Sequence, residues 1–288
     1  MFAGSLVAIV TPFKDGEVDE DCLRSLVRMH IEEGTSGIVP CGTTGESPTL
    51  SPEEHKKVIE IVIDEVKKKV PVIAGTGSNN TAEAIEYTRH AYEAGADGAL
   101  VITPYYNKPT QEGLYSHFKA IAGEVSIPIV IYNVPGRTGI SIEPETVARL
   151  SELSNIVAIK EASGKMDQVT KIISLCGITV LSGDDSMTMP IMAVGGSGVI
   201  SVVANIVPSD VRALTAAMEE GNCERARELH YKLFNLCKVM FIETNPIPIK
   251  TAMAMKGLIK EEFRLPLVSP SEKSRAIIKA QIEEYGIL

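Results

Sequence analysis

The chain has 288 residues, five cysteines and a formal net charge of −9. This length suits one (β/α)8 barrel with a helical extension, which commonly needs about 250 residues or more. No apolar run approaches the roughly 18 residues of a membrane span, and the acidic balance repels phosphate backbones, so we expect neither membrane nor nucleic-acid binding. The N-terminus lacks a signal-peptide pattern, and the scattered cysteines lack the spacing of a disulfide framework or zinc site. We therefore predict a cytoplasmic protein.

Short apolar runs rich in β-branched residues alternate with helical patterns along most of the chain. Because these runs are almost continuously apolar, they predict strands buried on both faces, as in a closed parallel barrel. The eight predicted strands span residues 6–11, 37–41, 70–75, 98–103, 127–133, 156–160, 178–182 and 198–202. After about Gly221 only helical patterns remain, at 223–241, 246–256 and 271–284. We therefore predict an α/β fold, with a TIM (β/α)8 catalytic barrel over residues 1–221 and a C-terminal helical region over 222–288.

Lys160 ends the sixth predicted strand, and the active site of a TIM barrel lies at the C-terminal ends of its strands. The apolar run at 156–159 would deliver its amine to the mouth of the barrel. A neutral lysine amine attacks carbonyl groups to form a Schiff base. Taken alone, a strand-end lysine more often extends to water or pairs with a neighbour such as Glu161.

Three neighbouring segments favour the catalytic interpretation of Lys160. Tyr132 lies next to the last residue of the fifth predicted strand, and because adjacent strands lie about 4.8 Å apart, its phenol could shuttle protons to groups on Lys160. Thr43 could extend that proton relay, and the glycine-flanked Thr43–Thr44 loop can aim hydroxyl and N–H groups at a carboxylate. Arg137, in the loop after the fifth strand, could bind a second carboxylate. The alternatives are a core tyrosine, an ordinary tight turn and a solvated arginine.

The histidines do not suit a catalytic base or metal site at the strand ends. All five fall within predicted helices: His30, His55, His90, His117 and His230. The glycine-rich segments at 75–77 and 195–198 complete neither a dinucleotide nor a phosphate fingerprint. We therefore infer no metal and no cofactor.

Eight motifs, ordered along nearly the whole chain, carry a family resemblance. They are AIVTPF at 8–13, GTTGES at 42–47, TPYYNKPTQEGL at 103–114, YNVPGRTG at 132–139, IKEASG at 159–164, SGDD at 182–185, GVISV at 198–202 and ETNPIPIK at 243–250. The chain resembles the dihydrodipicolinate synthase (4-hydroxy-tetrahydrodipicolinate synthase) family, within the N-acetylneuraminate lyase superfamily. The resemblance implies a Schiff-base lyase that condenses pyruvate with L-aspartate 4-semialdehyde, on the diaminopimelate route to lysine.

The resemblance also implies a role for each strand-end residue. Lys160 resembles the Schiff-base lysine and Tyr132 the general acid/base. Thr43 and Tyr106 resemble its proton-relay partners, and in the family the latter tyrosine comes from the neighbouring subunit of a dimer. Substrate-binding positions are implied at Thr44, Ile200 and Gly183 for the pyruvate pocket, and at Arg137 for the carboxylate of the aldehyde. Because the family is usually a dimer of dimers, we expect a homotetramer.

A further set of polar residues matches the family's lysine-feedback site. They are Ser47, His55, Asn79, Glu83 and Tyr105. Pro48 and Pro52 stand where inhibited bacterial members often carry other residues. Both regulation by lysine and its absence therefore stay open.

Two other functions compete with the synthase. Another pyruvate-dependent aldolase of the superfamily, acting on sialic or 2-keto-3-deoxy sugar acids, would share Lys160 and Tyr132. Arg137 favours the synthase, because a guanidinium suits a short substrate with its own carboxylate, whereas polyols call for hydroxyl-binding residues. A non-catalytic 2-oxo-acid sensor is the remote alternative, and loss of Lys160 or Tyr132 would have indicated it.

Overall fold

The computed structural model describes residues 2–288, and its centre is a sheet of eight parallel strands. We number them β1 to β8: Gly4–Ala8, Gly37–Val39, Ile73–Gly75, Gly98–Ile102, Ile129–Asn133, Ile156–Glu161, Thr179–Ser182 and Gly198–Ser201. Their order is β2-β1-β8-β7-β6-β5-β4-β3, and a parallel bridge between Ile38 and Val72 joins the two edges. The predicted TIM barrel and its eight strands are therefore confirmed, although the first strand lies at Gly4–Ala8 and not at 6–11.

A short hairpin after β1 is absent from the sequence prediction. Phe13–Lys14 pairs antiparallel with Glu17–Val18, and the turn residues Asp15 and Gly16 have φ angles of 57° and 86°. Strands of two residues are too short to carry an alternating pattern, so periodicity cannot detect them.

Twelve α-helices lie within residues 2–288. Numbered α1 to α12, they are Glu20–Glu32, Pro52–Val66, Thr81–Ala94, Gln111–Glu124, Pro135–Thr138, Pro144–Leu150, Met166–Leu175, Thr188–Ala193, Pro208–Glu219, Cys223–Val239, Ile247–Met255 and Glu272–Tyr285. All five histidines lie in helices, as predicted. Helices α10 to α12 confirm the predicted C-terminal helices, whereas the division into regions 1–221 and 222–288 stays a prediction. Over this described part of the chain, no helix combines the length and apolar character needed to cross a membrane.

Local signals in the sequence set the start of α2 and the end of α3. Ser51 accepts a hydrogen bond from the Glu54 N–H, the Glu54 carboxylate accepts one from the Ser51 N–H, and Pro52 is the first helical residue. This reciprocal capping satisfies N–H groups that have no partner within the helix. Helix α3 ends at Gly95, whose φ of 93° is accessible to glycine without strain.

Alternation along β6 decides which of its side chains face the active site. Ala158 packs in the barrel interior, whereas Ile159 packs in the layer between the sheet and the helices. Because successive side chains point to opposite faces, Lys160 returns to the inner face and Glu161 to the helix-facing side. The barrel thus delivers the Lys160 amine inward at the end of an apolar strand.

Candidate active site

Lys160 and Tyr132 lie side by side at the C-terminal ends of β6 and β5. The two residues are partners in the strand register, and Lys160 Nζ lies 4.3 Å from the centroid of the Tyr132 ring. Each residue is only 6% exposed. An ammonium group within about 6 Å of an aromatic face is attracted by the ring, so this contact favours the observed position of the protonated lysine. The structure brings together the two residues that the sequence predicts as nucleophile and proton shuttle.

Glu161 does not pair with Lys160, which removes one ordinary explanation for the lysine. Its carboxylate faces the helices and accepts hydrogen bonds from Asn133 Nδ2 at 2.9 Å, Ser163 N at 2.7 Å and Gln168 Nε2 at 3.2 Å. The ion pairs that lysines form within residues 2–288 do not include Lys160. A buried amine without a carboxylate partner carries a cost in stability, and such costs concentrate at functional sites.

Gly183 leaves the space that the Lys160 side chain occupies. A Cβ atom at position 183 would lie 3.1 Å from both Cγ and Cε of Lys160, and 2.6 Å from the Cβ of Ala162. Since the latter distance is far inside van der Waals contact, any larger residue would displace one of these neighbours. The glycine that follows β7 is therefore required mainly by the close packing of Ala162, and it also leaves room for the Lys160 side chain.

Lys160 opens into a cavity of about 570 Å³ at the mouth of the barrel, which we call the reaction cavity. Its volume lies in the range typical of small-molecule sites, ~300–1,000 Å³. The barrel contributes strand-end and loop residues, including Thr43, Thr44, Tyr132, Arg137 and Gly183. Residues 241–245, which connect α10 to α11, also line this cavity. The C-terminal helical region therefore completes a site that begins on the barrel.

Asn245 ties the Thr43–Thr44 loop to the arginine. Its Nδ2 donates a hydrogen bond to Thr44 Oγ1 at 3.0 Å, and Arg137 Nη2 donates one to its carbonyl oxygen at 3.0 Å. Thr44 and Asn245 are both buried. Two predicted carboxylate-binding positions thus share one buried asparagine, which the sequence singles out only as part of the ETNPIPIK motif.

Asp184 and Asp185 are further site residues to which the sequence assigns no role. Asp184 lines the reaction cavity, whereas Asp185 is buried and accepts hydrogen bonds from Ser201 Oγ and from Val202 N at 2.9 Å. Burial raises the pKa of the Asp185 carboxyl, and these hydrogen bonds oppose that shift. The contacts join the SGDD and GVISV motifs across β7 and β8. These two motifs, which belong to the family resemblance, were the sequence feature that pointed to the two aspartates.

A second cavity, of about 390 Å³, shares Thr43, Tyr132 and Arg137 with the reaction cavity. Four of the five residues matched to the lysine-feedback site line it, as does Pro48: Ser47, His55, Glu83 and Tyr105. Burial lowers the pKa of His55 to about 4, so its imidazole is neutral near pH 7. A lysine-binding role for this second cavity stays a prediction.

Two residues considered for the lysine-feedback site lie outside the second cavity. Asn79 is not among the residues lining the second cavity, and its carbonyl oxygen accepts a hydrogen bond from Asn107 Nδ2 at 2.8 Å. Pro52 is the first residue of α2 and also lies outside the lining. Of the two prolines, only Pro48 therefore contributes to the lining of the second cavity.

Ile200 and Tyr106 lie outside the lining of both cavities. Ile200 is buried in the barrel interior, in the same apolar cluster as Tyr132. Tyr106 is 89% exposed, and its φ of 72° places a non-glycine residue in the left-handed region.

Thr43 and Tyr132 line the cavities together, although no hydrogen bond joins their hydroxyls in the part of the chain described. One chain by itself therefore assembles the lysine, the phenol and the loop, but not the complete relay.

Over its whole length the chain is similar to dihydrodipicolinate synthases. Residues 1–285 match the model of the Dihydrodipicolinate synthetase family. The 4-hydroxy-tetrahydrodipicolinate synthase of Syntrophus aciditrophicus (strain SB) is 59% identical, with 100% of both chains covered. The crystal structure of dihydrodipicolinate synthase from Aquifex aeolicus matches with a TM-score of 0.98, at 53% identity over 99% of each chain. That of the chloride-inhibited enzyme from Acinetobacter baumannii, complexed with pyruvate, matches with a TM-score of 0.98, at 48% identity over 100% of both chains.

Proposed function

The chain belongs to the dihydrodipicolinate synthetase family, and we propose that it condenses pyruvate with L-aspartate 4-semialdehyde to give 4-hydroxy-tetrahydrodipicolinate. The predicted class of enzyme, a lyase of lysine biosynthesis acting on small molecules, is confirmed by a relative that is 59% identical over its full length. The roles of individual residues are our proposals.

The observation that carries this proposal is the enclosed Lys160–Tyr132 pair at the edge of the reaction cavity. The lysine amine attacks the carbonyl carbon of pyruvate, and loss of water gives a protonated imine. The imine withdraws electrons, so a methyl proton leaves and an enamine forms. We propose Tyr132, whose ring centroid lies 4.3 Å from the Lys160 amine, as the group that exchanges protons with the atoms attached to that amine.

The Thr43–Thr44 loop supports binding of the pyruvate carboxylate. Both threonines line the reaction cavity, and the Thr44 hydroxyl oxygen already accepts from Asn245. That hydroxyl therefore has its own proton to donate to a carboxylate oxygen. Holding the carboxylate at this loop would leave the ketone carbon facing Lys160.

Arg137 supports an aldehyde that carries its own carboxylate. One guanidinium nitrogen is anchored by the Asn245 carbonyl oxygen, and the residue lines the reaction cavity. The remaining N–H groups of the guanidinium can bind a carboxylate. The enamine then attacks the aldehyde carbon, and the substrate amine attacks the imine carbon, which closes the ring and releases Lys160.

Turnover of competing substrates tests this proposal against a sugar-acid aldolase. We expect kcat/KM for aspartate semialdehyde with pyruvate to exceed that for cleavage of N-acetylneuraminate or 2-keto-3-deoxygluconate by at least about 10³-fold, because the cavity offers a guanidinium for a carboxylate rather than hydroxyl-binding groups. A coupled assay of each reaction with the same enzyme sample gives this ratio. The opposite ranking would mean that the aldolase alternative is correct.

We also propose that Tyr106 acts in the site of a neighbouring copy, within a dimer of a homotetramer. The support is its position: its ring is 89% exposed on a left-handed turn and lies outside its own chain's cavities. An exposed aromatic ring held by a strained turn is well suited to insert into a partner.

Mixed dimers test the transfer of Tyr106 between subunits. We expect Tyr106→Phe to lose on the order of 10²-fold in kcat, because a proton-relay hydroxyl is gone. Refolding it with inactive Lys160→Ala should restore about a quarter of the sites, since half of randomly formed dimers are hybrids with one intact site. Tyr231→Phe, which alters another exposed tyrosine, is the control and should behave as the wild type. Absence of any recovery in verified hybrids would contradict transfer between subunits.

A further inference from the structure

Behind the Thr43–Thr44 loop lies a buried ion pair that the proposed reaction does not use. Lys250 Nζ lies 2.5 Å from Glu46 Oε1, and both side chains are 0% exposed. Glu46 belongs to the GTTGES motif and Lys250 to helix α11, so the pair joins the barrel to the C-terminal helical region. A fully buried ion pair is seldom the most stable solution, since apolar residues of similar size often do as well. Its position therefore needs another explanation.

Aromatic rings enclose the pair. Lys250 Nζ lies 4.3 Å from the ring centroid of Phe13 and 5.2 Å from that of Phe263. The backbone N–H of Arg264 donates to Glu46 Oε2 at 3.4 Å. Burial lowers the pKa of the Lys250 ammonium, and the Glu46 carboxylate opposes that shift. The two charges are thus held by each other and shielded from water.

Glu46 adopts a left-handed backbone conformation in the loop that contains Thr43 and Thr44. Its φ of 52° lies in the left-handed region, which costs free energy for a residue with a side chain. Its N–H donates to the Thr43 carbonyl oxygen at 3.2 Å, and its own carbonyl oxygen accepts from Thr49 N at 2.9 Å. The loop turns at Glu46, and the carboxylate of that residue ties the turn to Lys250.

Helix α11 and the residues before it hold the same loop at a second point. Asn245, just before the helix, donates to Thr44 Oγ1, while Lys250 within the helix binds Glu46. The side chains at positions 44 and 46 are therefore both fixed by one segment, residues 245–250. The two bonds hold the loop whose Thr43 and Thr44 line the reaction cavity.

We propose that Glu46 and Lys250 are positioning residues for the pyruvate carboxylate. Their ion pair fixes the turn at Glu46, and this sets the orientation of the Thr43 and Thr44 donors toward the carboxylate. The inference rests on the proposed function, because it takes pyruvate as the ligand of the Thr43–Thr44 loop. It predicts that loss of the pair weakens pyruvate binding more than binding of the aldehyde.

Three variants test this role: Lys250→Met, Glu46→Gln and the double variant. We expect KM for pyruvate to rise at least about tenfold in each, since a misplacement of about 1 Å can cost up to 100-fold. KM for aspartate semialdehyde should change by less than about threefold, because the ion pair contributes to binding of pyruvate and not to binding of the aldehyde. The rate of borohydride trapping at low pyruvate should fall in parallel with the change in KM. Glu261→Gln, which breaks the Arg275–Glu261 ion pair in the same C-terminal region, is the matched control.

Thermal unfolding separates positioning from a purely structural role. Lys250→Met leaves the Glu46 charge buried without its partner, so its Tm should fall, whereas the double variant removes both charges and should recover much of that loss. A positioning role requires that KM for pyruvate stay raised in the double variant while Tm recovers. Recovery of KM together with Tm would overturn the inference, as would a pyruvate KM within about twofold of wild type in every variant. Failure of all three variants to fold would also overturn it, because the pair would then serve folding.

The wild-type enzyme separates this inference from the proposed function. If borohydride traps no pyruvate on the wild type, the proposed function fails. If the wild type is trapped and the variants match it, only the positioning role fails.

Discussion

Replacing Lys160 with alanine is expected to abolish both turnover and borohydride trapping of pyruvate. The amine is the atom that bonds to the substrate, so kcat should fall by at least about 10⁴-fold, the scale observed when a covalent nucleophile is removed. Mass spectrometry of the enzyme reduced with pyruvate should show one adduct per wild-type chain and none on the variant. Peptide mapping should place the wild-type adduct at Lys160.

The stability of the Lys160→Ala variant distinguishes loss of chemistry from loss of fold. The amine is nearly enclosed and forms no ion pair within residues 2–288. Removing it therefore leaves no partner charge unpaired, and we expect Tm to be at least as high as in the wild type. Lys165→Ala, at an exposed lysine just after β6, is the control and should keep both the adduct and turnover. A full adduct on Lys160→Ala would place the Schiff base on another lysine.

The sequence predicts the part of the site that depends on local patterns. Two apolar strands end in polar residues, at Tyr132–Asn133 and at Lys160–Glu161, and the chain order of parallel strands makes β5 and β6 neighbours. Alternation then separates Lys160, facing inward, from Glu161, facing the helices. These two rules are enough to predict from the sequence that the lysine and the phenol lie together.

The contacts that complete the site could not be predicted in the same way. Asn245 binds Thr44 across 201 residues of sequence, and Lys250 binds Glu46 across 204. No periodicity connects positions so far apart, and their meeting depends on how the C-terminal helices pack on the mouth of the barrel. The proposed role of Tyr106 could not be predicted for a different reason. This exposed tyrosine can act in catalysis only beside a second copy of the chain.

The second large effect is expected for Tyr132→Phe, which removes only the phenol oxygen. The aromatic ring that lies 4.3 Å from Lys160 Nζ is retained, so the lysine should keep its position. We expect kcat to fall by about 10²–10⁴-fold, the usual contribution of a general acid or base. Thermal unfolding should change little, whereas Tyr132→Ala also empties buried space and should lose about 3–5 kcal/mol of stability.

Exchange of the pyruvate methyl protons in D₂O identifies the step that Tyr132 serves. Formation of the enamine removes such a proton, so wild-type enzyme without the aldehyde should incorporate deuterium into pyruvate, and Lys160→Ala should not. If the phenol carries protons to and from the atoms on Lys160, Tyr132→Phe should slow this exchange as strongly as turnover, yet still form the borohydride adduct after long incubation. Exchange and turnover within about threefold of wild type would assign the proton transfers to another group and leave Tyr132 as a packing partner of the lysine.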